Sequence, residues 1–62
     1  MDENKEKFLR IFANIPDKIR AEDIIAVVDD KPFTWNTAMI EIKNETELGY
    51  KIMEILEKIG VL

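Results

Sequence analysis

The chain contains no cysteine, no histidine, no serine and no glutamine. Without cysteine there is no disulfide to staple a small fold. Zinc sites draw on thiolate and imidazole, so both usual donors are missing. Nucleophilic catalysis would fall to three threonines and the lysines, with no imidazole to activate them. The only glycines are Gly49 and Gly60, both inside or closing one predicted helix, which excludes a glycine-rich phosphate loop. What survives is carboxylate chemistry, as general acid/base work or a hard-cation site. Its tightest cluster, Asp29-Asp30, reads first as solvated turn residues. The expectation is a non-enzymatic protein with no catalytic residue, no cofactor and no metal.

Long apolar runs are missing too. The longest, Ile24 to Val28, has five residues, where a membrane span needs about 20. The first seven residues mix acids and bases and precede no apolar signal core. No membrane partner is expected, and a cytoplasmic setting is.

The 62 residues are 47% apolar and 35% charged with a net charge of −4, the balance of one small globular domain spanning 1–62. A chain this short buries only about 60% of its unfolded surface, so it needs a staple, a partner or unusually good packing. Ten isoleucines, with many Lys and Glu and no Cys or Gln, suit a chain selected for heat tolerance.

Phe8, Ile11, Phe12 and Ile15 recur at helical spacing and predict a first helix of roughly a dozen residues. Glu3–Lys7 and Glu6–Arg10 support it as acid-first i, i+4 pairs. Pro16 ends it. Residues 17–22 can add a short helical turn with Pro16 at its first position. At the other end Leu48, Ile52, Ile55, Leu56 and Ile59 define a second long helix. Asn44 is its expected cap, with Glu47 completing a capping box, and Gly60 its left-handed stop.

The middle reads as a β-hairpin. Ile24–Val28 is β-branched, Asp29-Asp30-Lys31-Pro32 is a polar turn, and Phe33-Thr34-Trp35 resumes strand composition. Ala38, Ile40 and Ile42 then alternate with Met39, Glu41 and Lys43. Phe33 and Trp35 have the opposite parity, so either a bulge near Asn36-Thr37 shifts the register or both faces are partly covered; the bulge is preferred, because two apolar faces would leave one exposed in a monomer. The competing reading takes Trp35, Ala38, Met39 and Ile42 at i, i+3, i+4, i+7, with Thr34 as N-cap. Residues 22–29, 34–43 and 45–59 would then outline an all-α helix-turn-helix. The α+β architecture is preferred: helix, short helical turn, bulged hairpin, capped helix.

Four residues are candidates for interaction. Gly49 lies on the apolar arc of the last helix, which points to close approach of a neighbouring element. Tyr50 sits nearer the charged face and suits an interface. Trp35 is either a core aromatic or an anchor for a partner. Arg20 is a surface residue with a lesser claim to an interface. Both long helices carry apolar stripes about 160° wide against about 100° for an ordinary surface helix, and a lone hairpin has free edges. These features imply a protein-interaction or assembly module that self-associates as a homodimer, through helix faces and hairpin edges. A small transcription-associated helix-turn-helix protein is the alternative. It is opposed by the net charge of −2 over residues 44–62, which repels phosphate, so nucleic acid is not an expected partner. A divalent-cation site at Asp29, Asp30 and Glu41 is a weaker alternative. No small-molecule substrate is evident.

Overall fold

The computed structural model describes residues 2–62. Helix α1 (Asp2–Ala13) leads to α2 (Asp17–Glu22), a hairpin of β1 (Ile24–Val28) and β2 (Lys31–Thr34), then α3 (Trp35–Lys43) and α4 (Glu47–Lys58). The α+β architecture is therefore observed, with one correction in the middle. Residues 35–43 are helical, so the second strand stops at Thr34 and there is no bulge near Asn36-Thr37.

The helix is started at the hairpin's exit and held by burial. The Thr34 hydroxyl accepts from the Thr37 N–H at 3.2 Å, and the Thr37 hydroxyl accepts from the Thr34 N–H at 2.8 Å. This reciprocal capping box starts α3. Helical spacing then buries Trp35, Ala38 and Ile42 together and leaves Ile40 in solvent, whereas a strand would have turned Ile40 inward with Ala38 and Ile42. The register irregularity lies elsewhere, between Ile24 and Ala26 of β1. The loop is Asp29-Asp30 alone, both with positive φ, while Lys31 and Pro32 belong to β2. Two consecutive left-handed residues give the turn twist that matches paired strands.

Asn44 does not cap α4. It closes α3, and Thr46 caps α4 by accepting from the Gly49 N–H at 3.0 Å. Between them Glu45 takes φ 52°. The Glu45 N–H reaches the Ile42 carbonyl and the Thr46 N–H the Glu41 carbonyl, both at 3.1 Å, the two bonds of a Schellman stop. The end of α4 repeats the device. Gly60 has φ 86°, with Gly60 N–H bonded to Glu57 and Val61 N–H to Leu56.

The core is shared by every long element. Phe8 of α1 is fully buried 5.6 Å from the Trp35 ring. The hairpin's inner face contributes Ala26, Val28 and Phe33, and α4 contributes Ile52, Met53 and Leu56. The total accessible surface is 4183 Å², close to the roughly 4,200 Å² of a monomeric protein of this mass. Helix α3 covers part of the broad apolar stripes of α1 and α4 that the sequence assigns to a second copy, while Leu9 and Ile59 stay exposed.

The two Schellman stops differ in one respect: one has glycine in the left-handed position and the other has glutamate. A left-handed L-residue costs about 1–2 kcal/mol, part of which a glycine returns as unfolded-state entropy. The ion pair of Glu45 with Lys5 is long, 3.8 Å, and its acid is half exposed, so its loss matters little. Glu45→Gly should raise stability by about 0.5–1 kcal/mol. The check is urea unfolding, read as a higher midpoint at unchanged slope.

Candidate interaction surface

The four sequence candidates sit in four different settings and form no common site. Trp35 is only 8% exposed. It is a core aromatic packed at a tilt against Phe8, which favours the core reading over the anchor. Tyr50 is 48% exposed on α4, beside a shallow groove shared with Asn4, Met53, Glu54 and Glu57.

Arg20 is more than a surface cation. Its Nε donates to the Ile15 carbonyl at 2.7 Å and one terminal nitrogen to the Ala13 carbonyl at 3.4 Å. Its guanidinium lies 4.5 Å from the centre of the Phe12 ring. Arg20 therefore clasps the carbonyl end of α1 to α2 and offers a partner little. Lysine cannot make the fork and the stack together. Arg20→Lys should cost about 1–2 kcal/mol, measured as a lower thermal midpoint.

Gly49 fulfils the close-approach reading. A Cβ there would stand 2.5 Å from the Glu41 carbonyl oxygen and 3.1 Å from the Ile42 Cα, both backbone of α3. The Thr46 hydroxyl ties the same point, 2.8 Å from a Glu41 carboxylate oxygen. Gly49→Ala should destabilise by about 1–3 kcal/mol because α3 must shift, even though alanine favours helix. A raised thermal midpoint would show that the crossing tolerates a methyl group.

Two of the three carboxylates weighed for a cation site have other partners. Asp29 pairs with Lys51 at 3.6 Å, and Glu41 is engaged with Thr46. Among the described residues no group of three His, Cys, Asp or Glu side chains is placed to hold a metal. Among them, too, no helix is long and apolar enough to cross a membrane.

The surface that stands out was hidden in the β1 sequence. Ile24 is 59% exposed and Val27 58%. Across the ladder they face Thr34 and Pro32 respectively, and alternation along β2 puts Pro32 and Thr34 on one face. Ile24, Val27 and Pro32 thus form an apolar outer face, opposite Ala26, Val28 and Phe33. Strict alternation from Ala26 would turn Ile24 inward. The irregularity at Ile25 turns it out, a function bulges often serve. No feature of one strand's sequence announces such a shift.

The hairpin's two edges differ chemically. Val28 and Lys31 flank the two-residue loop and are a hydrogen-bonded pair, so Val27 and Pro32 occupy a non-bonded position with their main chains turned outward. On β2 that edge is closed. Pro32 has no N–H, and the Thr34 N–H is spent on Thr37. On β1, among the described residues, no bond from outside the hairpin reaches the Val27 main chain.

Comparison of the chain with family models, with curated proteins and with solved structures finds no match.

Proposed function

We propose that the protein is a non-enzymatic interaction module that self-associates through the outer side of its hairpin. One observation carries this reading: two β-branched side chains, Ile24 and Val27, stand more than half exposed beside Pro32 on a single face. The face is far smaller than the roughly 800 Å² per partner of a stable interface. Association is therefore weak and concentration-dependent, a reversible assembly of folded monomers. A cytoplasmic setting and the heat tolerance suggested by residue usage belong to the same proposal.

One observation favours a second reading. Helices α3 and α4 joined by residues 44–46 have the outline of a helix-turn-helix. Its second helix is poorly suited to phosphate. Lys51 and Lys58 are both engaged with acids, at 3.6 and 3.3 Å, while Glu47 and Glu57 remain on its exposed surface. Protein contact is the better use of this helix pair, and a gel shift at low salt should show no retarded duplex.

Sedimentation velocity from micromolar to millimolar protein tests the leading reading. The weight-average mass should rise above 7.3 kDa as concentration increases. A mass constant at that value over the whole range would overturn it.

A further inference from the structure

We infer that a second copy of the chain adds to the hairpin through β1, antiparallel and centred on Val27, to give a four-stranded sheet in the order β2-β1-β1-β2. The inference rests on the self-association reading and specifies its edge and register. Direction follows from the closed outer edge of β2, which has no donor to offer at Pro32 or Thr34. Strand β1 carries an irregularity at Ile25 near its start but none of the residues that blunt an edge around Val27. It contains no proline, lysine or glycine.

Register follows from hydrogen-bond parity. Val27 is the position whose N–H and C=O both turn away from β2. Two such groups are self-complementary about a two-fold axis, each Val27 N–H donating to the other copy's Val27 carbonyl. Centring on Ala26 fails because its main chain faces β2. Centring on Val27 instead sets Ala26 against Val28 on the inner face. The joined sheet also makes the Ile24, Val27 and Pro32 faces of two copies continuous.

The test compares the wild-type chain with Val27→Pro and Val27→Thr by sedimentation, with amide hydrogen exchange on the wild type. Proline removes the donor of both central bonds and spares the ladder to β2, whereas threonine keeps the donor. Val27→Pro should weaken dimerisation about tenfold or more with helix content retained, and Val27→Thr much less. The wild-type Val27 amide should gain protection as concentration rises. Wild-type dimers with a Val27 amide that stays fast-exchanging, or a folded Val27→Pro chain that dimerises undiminished, would overturn the β1 pairing and leave self-association standing. A wild-type chain that never dimerises would overturn both, and would leave the β1 edge to a strand from another protein. If Val27→Pro does not fold, the wild-type exchange result decides.

Discussion

The approach of α4 to the backbone of α3 at Gly49 is the constraint on which the arrangement depends. No side chain can occupy the 2.5 Å between that position and the Glu41 carbonyl, so the two helices meet main chain to main chain. The short linker is built to deliver this crossing. Glu45 turns left-handed to stop α3, and Thr46 bonds forward to Gly49 and back to Glu41. With that corner set, Ile42, Ile52 and Leu56 are all fully buried, and the side chains of α1 and the hairpin pack against them.

The hairpin is attached to this corner by its inner face and is otherwise unequal on its two sides. Capping α3 with Thr34 uses the one outward donor that β2 retains after Pro32. A single local arrangement therefore starts a helix and seals a sheet edge. The turned-out Ile24 and the exposed Val27 are left on β1, where main-chain groups and apolar side chains lie together. For that coincidence the proposed assembly is placed at the hairpin and not on the broad helix stripes, which α3 already helps to cover.

Much of the architecture was legible from short-range signals. The stripes of α1 and α4, the stop at Gly60, the short α2 after Pro16 and the need for a small residue at Gly49 all follow from spacing and local backbone chemistry. Residues 35–43 were not decided this way, because Trp35, Ala38, Met39 and Ile42 fit a period of 3.6 while Ala38, Ile40 and Ile42 fit a period of 2. Thr34 is visible as a cap in the sequence, but a cap contributes only about 1 kcal/mol, too little to outweigh the β-branched composition that precedes it. The cap of α4 was misplaced by two residues for a similar reason. Asn44 and Thr46 are both good caps, and only a left-handed Glu45 tells them apart.

By itself the sequence determined the absence of thiolate, imidazole and phosphate-loop chemistry, and the identity of its two long helices, since these depend on residue type and neighbours within a few turns. Tertiary structure decided the state of 35–43, because that choice turns on whether Ile40 or Trp35 finds cover, and the cover comes from Phe8, far away in the chain. It also decided which side of the hairpin is open. A one-residue irregularity reverses the direction of Ile24, and a hydrogen bond to Thr37 closes the opposite edge. Both are properties of paired backbones, which no single strand carries in its own letters.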